Sequence, residues 1–262
     1  MQLIEVTQFG GPQVLTARQA PEPVPGPGQV VIATAAVDVL FIDTVIRAGR
    51  AQDFFSTRPP YVPGNGVAGE VIAIGDQADP GWAGQWVVVH TGPAGGSGGY
   101  AEQAVADAAD LIPVPAGVSP REAAALLHDG ATAIRQHTAA AISPGEWVMV
   151  TAAAGGMGVL LVQLARAAGG RVVGGRFFAH GVSDGGFAAL DPGQVSRRAV
   201  TVHSLGEYQR ERFRREAATA LAQAADGRLR PVIGQVFPLA RAADAHAALQ
   251  ARTAIAKTLL VP

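Results

Sequence analysis

The chain has 262 residues, with 33 glycines, 18 prolines, no cysteine, 20 basic against 21 acidic side chains and only 16% charged residues. This length suits two ordinary domains or one large core, the near-zero net charge offers no basic footprint for nucleic acid, and the lack of cysteine excludes a disulfide framework, a thiolate metal site and a cysteine nucleophile. Met1-Gln2-Leu3-Ile4-Glu5 has neither the basic nor the apolar region of a secretion signal, so the cytoplasm is the expected place.

From Met1 to about Val118 short β-prone runs alternate with Pro/Gly turns: Val30 to Ala33, Gly69 to Gly75, Trp86 to Val89 and Leu111 to Val114. They predict a small all-β domain. The glycine run Gly92 to Gly99 has no helix start after it, so it reads as an active-site loop, with Tyr100 leading the next strand. Ser119-Pro120-Arg121-Glu122 is a helix start, with Ser119 as N-cap and Glu122 three residues on, and the helix should run to about Ala141.

Trp147-Val148-Met149-Val150 then predicts a buried strand, Thr151 to Gly158 a glycine turn, and Gly156 to about Ala168 a helix with Leu160, Leu161, Leu164 and Ala165 on one face. Glycines there let a backbone approach a dinucleotide pyrophosphate, whose charge faces the positive helix N-terminus. The spacing Ala153-x-Gly155-x-x-Gly158 lacks the first glycine of the strict pattern. The 19-residue uncharged window Trp147 to Ala165 holds three glycines, a threonine and a glutamine, so it reads as strand, turn and helix rather than a membrane span. A strand from Arg171 completes a βαβ unit, which demands a parallel sheet. Further on the pattern predicts strands at Arg176 to His180 and Val200 to His203, a charged helix Glu207 to Ala225, a strand Pro231 to Phe237, a helix Leu239 to Ala251 and a last strand Lys257 to Val261.

Phe41-Ile42-Asp43-Thr44-Val45-Ile46-Arg47-Ala48-Gly49, Pro63-Gly64-Asn65-Gly66-Val67-Ala68-Gly69-Glu70-Val71 and Ala152-Ala153-Ala154-Gly155-Gly156-Met157-Gly158 together resemble motifs of the zinc-independent quinone oxidoreductases of the medium-chain dehydrogenase/reductase superfamily. The resemblance implies an α/β protein: a GroES-like β-domain over 1–118, completed by about 207–262, around a truncated Rossmann-type parallel-sheet domain over 119–206. It places Asp43 and Thr132 near the nicotinamide, Ala154, Gly155, Gly156, Met157 and Gly158 against the pyrophosphate of NADPH, and Gly181 beside the nicotinamide. Leu40, Phe41, Asp43 and Tyr100 are the substrate-side candidates, and no residue stands out as an obligatory acid or base. Where the family commonly has an asparagine this chain has Leu40, so a more apolar pocket is expected, with Phe54 and Phe55 near in sequence. Zinc-bearing relatives carry Gly-His-Glu where Gly64-Asn65-Gly66 stands here, and the six histidines show no metal spacing, so no zinc is expected.

At Arg171-Val172-Val173-Gly174-Gly175-Arg176 the family's second strand runs straight into its fifth, without the two strand-helix units, on the order of 60 residues, that normally intervene. Strands two and five lie roughly 14 Å apart, which one peptide bond cannot span, so either a hybrid strand replaces them or residues are missing here. The residue that reads the cofactor's ribose is lost with them. Arg171 and Arg176 remain as candidates for a 2′-phosphate, beside their plainer reading as solvent-facing arginines. An uncovered parallel sheet would expose an apolar face, so a homodimer or a rearranged core is expected. His128-Asp129 could supply acid/base chemistry, although neighbours in sequence on a helix do not face each other.

The leading expectation is an NADPH-dependent reductase of a quinone, enone or similar conjugated carbonyl. Its rivals are a non-redox enzyme (cyclase, isomerase or dehydratase) on the same scaffold without cofactor, and a truncation that merely retains the β-domain.

Overall fold

Period-two alternation gives the strands of this chain two usable faces. The computed structural model describes residues 1–91, 98–171, 176–178, 201–203 and 208–262, with 176–178 and 201–203 given by backbone alone. β1 (Gln2–Val6) and β2 (Leu15–Gln19) form an antiparallel ribbon. The main sheet comprises β3 (Gln29–Val39), β4 (Gly66–Ile74), β5 (Trp86–His90), β6 (Gln103–Asp107), β7 (Ile112–Pro113), β10 (Ile233–Pro238) and β11 (Lys257–Val261). Its order is β10-β11-β3-β4-β5-β7, with β6 on the first half of β3. Thus the last strand of the chain pairs with the end of β3, Leu259 opposite Asp38.

Each sheet face has its own core. Val87 and Val89 join Ile32, Val67 and Leu260 on one side, under α5 (Ala242–Gln250) with Ala242 and Ala245. Val88 joins Ala36, Ala68 and Leu259 on the other. That second face is covered by α2 (Pro120–Ala140), against which α3 (Gly156–Ala167) and α4 (Arg210–Ala225) pack. α2 starts where its local signal demands: Ser119 accepts the N–H of Glu122, whose carboxylate accepts the N–H of Ser119 at 2.9 Å, a reciprocal cap worth about 1 kcal/mol.

The run from Trp147 departs from expectation. It is an extended segment bridged at one residue, Trp147 to Arg171, with the Val148 N–H on the Arg171 carbonyl and the Arg171 N–H on that of Glu146. Trp147 is 51% and Met149 62% exposed. A parallel strand is buried only when strands flank it and helices cover it, and among the described residues Arg171 alone pairs with this one. The backbone pieces β8 (Arg176–Phe178) and β9 (Thr201–His203) pair parallel with each other, as a separate sheet. Gly174, Gly175 and Gly181 lie outside the described residues. Smaller differences are the unforeseen β1 and β2, the start of the strand after Tyr100 at Gln103, the helical segment α1 (Phe41–Arg47), and a single 3-10 turn, Leu239–Arg241, ahead of α5.

Candidate active site

β3 delivers its chain into α1 at Leu40, and Asp43, three residues on, turns back to accept the Leu40 N–H at 2.9 Å. The same carboxylate oxygen lies 3.4 Å from the Tyr100 hydroxyl, which lies 2.9 Å from Nε2 of His246 on α5. All three side chains are buried. Burial pushes the Asp43 carboxyl up to about 7 against the pull of the Leu40 N–H, pushes His246 down to about 3 with the Arg47 charge adding to it, and raises Tyr100. His246 is therefore neutral, and its Nδ1 has no partner. With its proton on Nε2, His246 donates to the Tyr100 oxygen while Tyr100 donates to Asp43, so that only a lone pair goes unpaired. Tyr100 is thus an interior residue bonded inward, and not an open wall of a cleft, because no part of it is exposed.

A second polar cluster lies beside this one. Asp38, wholly buried, accepts from Nδ1 of His128 on α2 at 2.6 Å and lies 3.7 Å from the ammonium of Lys257. Nε2 of His128 faces Nδ1 of His90, the last residue of β5, at 3.1 Å. Lys257 also reaches Asp129 at 3.3 Å. Burial alone would raise the Asp38 carboxyl, but His128 and Lys257 outweigh it and the net shift is downward. For Lys257 burial lowers and the two aspartates raise, and the aspartates win. His90 is pushed down to about 4, by burial first and by His128 second. His128 and Asp129 indeed diverge from α2, as neighbours on a helix must, but Lys257 and Asp38 join them again. Asn65 is buried at the start of β4, and its carbonyl accepts the Thr91 N–H just past His90.

Lys257 and Asp129 bring this cluster up to the glycine turn. Ala152 takes a left-handed conformation (φ 53), and its carbonyl accepts the N–H of Gly155 at 2.9 Å. A Cβ on Gly158 would overlap that backbone carbonyl, so this position requires glycine, whereas one on Gly156 would displace the end of the Asp129 side chain. Gly155 is the N-cap of α3 and supplies no side-chain cap. The first-turn N–H groups of a helix so started stay available to an anion. Ala256 donates to the Ala154 carbonyl at 2.7 Å, which ties the start of β11 to the turn.

The structure keeps Asp43 with Tyr100, and the turn Ala154, Gly155, Gly156, Met157 and Gly158 with Asp129 and Lys257, while Thr132 is half-buried one helical turn beyond His128. Leu40 and Phe41 are half-buried at the start of α1, Phe55 packs with Phe41 against Val45 and Ile46, and Phe54 is 59% exposed. Arg171 is exposed, and the Arg176 side chain lies outside what is described. Among the described residues no group of three or more His, Asp or Glu could hold a metal ion. Sequence reasoning missed Asp38, His90 and Lys257. Two of them carried a signal, a lone charge inside an apolar run at Ala35 to Leu40 and at Ala254 to Leu260.

The alcohol dehydrogenase GroES-like domain model matches residues 26–116 and the zinc-binding dehydrogenase model residues 130–260. Quinone oxidoreductase of Mus musculus is 38% identical over 179 residues, 66% of this chain and 52% of that protein. The chain spans about half the length of the curated relatives it matches so. A longer alignment, at 27% identity, pairs all of it with 98% of the Sus scrofa quinone oxidoreductase over 328 positions. Since the chain has 262 residues, at least 66 of those positions face none of its own. A quinone oxidoreductase structure from Pseudomonas syringae is 26% identical with a TM-score of 0.86, covering 100% of this chain and 99% of that one. The fold also matches Escherichia coli quinone oxidoreductase complexed with NADPH, at 22% identity and a TM-score of 0.88 over the whole of both chains. Mixed α/β, with a GroES-like domain and a reduced Rossmann-like part, the chain belongs to the zinc-binding dehydrogenase family of the medium-chain dehydrogenase/reductase superfamily and is similar there to the quinone oxidoreductases.

Proposed function

We propose that this chain is an NADPH-dependent oxidoreductase that reduces a quinone, enone or similar conjugated carbonyl. The observation that carries the reading is the uncapped N-terminus of α3, set in a turn where Gly158 permits no side chain. The residues fit a pyrophosphate: Ala154 to Gly158 would hold it through backbone N–H groups. The Asp129 carboxylate, which would repel it, is balanced by Lys257 at 3.3 Å. A bound nicotinamide supplies the hydride, and the protein supplies position and electrostatics. By the family resemblance Asp43 and Thr132 would stand near the reacting end, with Leu40 and Phe41 as apolar lining. A homodimer in a reducing compartment completes the proposal, supported by the apolar Trp147 and Met149 at the surface and by the absence of cysteine.

The exposed run before the turn favours one rival, a non-redox enzyme on this scaffold that has lost its cofactor. Titration with NADPH, followed by cofactor fluorescence with NADH in parallel, separates the two. The control is Gly155→Asp, since a Cβ there meets nothing nearer than the Ala152 carbonyl at 3.3 Å. As an N-cap, aspartate should hold or raise stability by a few tenths of a kcal/mol, while its charge lies where a phosphate would bind. Saturable binding that weakens at least about tenfold in this stably folded variant supports the redox reading. No binding up to millimolar NADPH sinks it and puts the cofactor-free enzyme first.

A further inference from the structure

Hydride addition alone leaves different products on a quinone and on an enone. A quinone becomes a hydroquinone anion, a phenolate that water or buffer protonates without a dedicated donor. An α,β-unsaturated carbonyl that takes a hydride at its β-carbon pushes the alkene electron pair onto oxygen and becomes an enolate, a far stronger base that must be protonated for the reduction to complete. A catalyst for the second class gains from a positioned proton donor, and such a donor has more polar machinery behind it than a quinone requires.

That machinery is present. Asp38 is wholly buried in β3 and committed through one oxygen to His128 at 2.6 Å, and a carboxylate so placed fixes the imidazole tautomer and orientation. Lys257, 3.7 Å from the same oxygen, keeps that carboxylate ionised in the interior. Both nitrogens of His128 are engaged, Nδ1 by Asp38 and Nε2 by Nδ1 of His90 at 3.1 Å. A proton on His128 therefore leaves by way of His90. His90 ends β5 beside Asn65, half-buried, with the rings of Tyr208 and Phe213 5.5 and 5.7 Å from its own. Burial keeps the resting ring neutral and would make it a strong acid once protonated. The charged and titratable groups around the pair are Asp38, Lys257, Asp129, Asp43 and Tyr208.

We infer that Asp38, His128 and His90 form a proton relay that ends on the substrate, and that the chain is accordingly built for α,β-unsaturated carbonyls in preference to quinones. This rests on the redox reading proposed above. In the step, a hydride from reduced nicotinamide bonds to the β-carbon and the electron pair of the C=C bond moves to the carbonyl oxygen. His90 then gives its Nε2 proton to the enolate as it receives one at Nδ1 from His128. His128 is left neutral, still donating to Asp38, and the pair resets when His90 takes a proton from solvent at Nε2 and returns the one on its Nδ1 to Nε2 of His128. His90 is the catalytic residue here, and His128 and Asp38 are positioning residues that feed it.

The experiment compares NADPH-dependent turnover of a simple cyclic enone and of a naphthoquinone by the full chain and by His128→Asn and His90→Phe. Asparagine keeps an N–H for Asp38, and phenylalanine keeps a ring for Tyr208 and Phe213, so each variant has its own route to a folded state. The expected result is a fall of about a hundredfold in kcat for the enone, with quinone turnover within about threefold of the parent in the same preparation. Parallel loss of both substrates marks a structural role and overturns the relay. So does an unchanged enone rate, or a parent chain that reduces the quinone and not the enone. A parent that binds no NADPH and reduces neither overturns the redox reading, and the relay with it.

Discussion

Two runs of this chain are close to interchangeable as sequence: Trp86-Val87-Val88-Val89 and Trp147-Val148-Met149-Val150. In the first, all three valines are 0% exposed, because β4 and β7 flank β5 and both of its faces meet a core. In the second, Trp147 and Met149 are more than half exposed and a single bridge, to Arg171, holds the segment. Apolar patterning states a capacity to be buried, and only partners realise it.

The largest expected effect lies on the buried side. Val88→Asp puts a carboxylate between Ala36, Ala68 and α2 with no cation described among its core neighbours, and should cost more than about 4 kcal/mol, enough to unfold the chain. Loss of the cooperative transition in urea, followed by circular dichroism, is the expected observation. A variant that unfolds near the parent midpoint would show that this face of β5 opens to water.

The buried side also carries an internal cost that pH exposes. The folded-state value of about 7 at Asp43 lies above the ordinary 3.8. Between those values the folded chain holds a proton that the unfolded chain has released, so this group's contribution falls as pH rises through the window and is fully unfavourable above 7. His246, depressed to about 3, and His90, depressed to about 4, act in the opposite sense. The unfolded chain takes up their protons first as pH drops below about 6.5, so they remove stability on the acid side. Asp43→Asn deletes the first effect and leaves the second. Relative to the parent, the variant should gain about 3 kcal/mol on going from pH 5 to pH 8. Urea midpoints for both proteins at both pH values measure it, and an equal difference at the two would mean that Asp43 titrates as an ordinary carboxyl.

What could be read from the sequence was what neighbours in sequence decide. Ser119, Pro120 and Glu122 announce α2 because a cap is made within four residues. Gly155 to Gly158 announce the turn for the same reason. His128 drew notice beside Asp129, yet its partner is Asp38, ninety positions away in the chain, and no local pattern pairs residues at that separation. Tyr100 reads as a substrate-side residue leading the strand after a glycine loop, and its depth shows only with His246, 146 residues on, against its hydroxyl. The run at Trp147 failed in the opposite way. Its own residues predict a buried strand, and among the described residues only the bridge to Arg171 flanks it.

The smallest expected effect tests that last point. Met149 is 62% exposed and belongs to none of the core clusters of the described residues. Replacing it by aspartate removes little apolar contact and puts a charge where water already reaches, so Met149→Asp should move stability by less than about 0.5 kcal/mol. The same mutation type, methionine or valine to aspartate in two nearly identical runs, then gives effects at opposite ends of the range. Urea midpoints of the two variants measured together make the contrast direct. If Met149→Asp instead costs several kcal/mol, that side chain is covered in solution, and the exposed run is as much a core strand as β5.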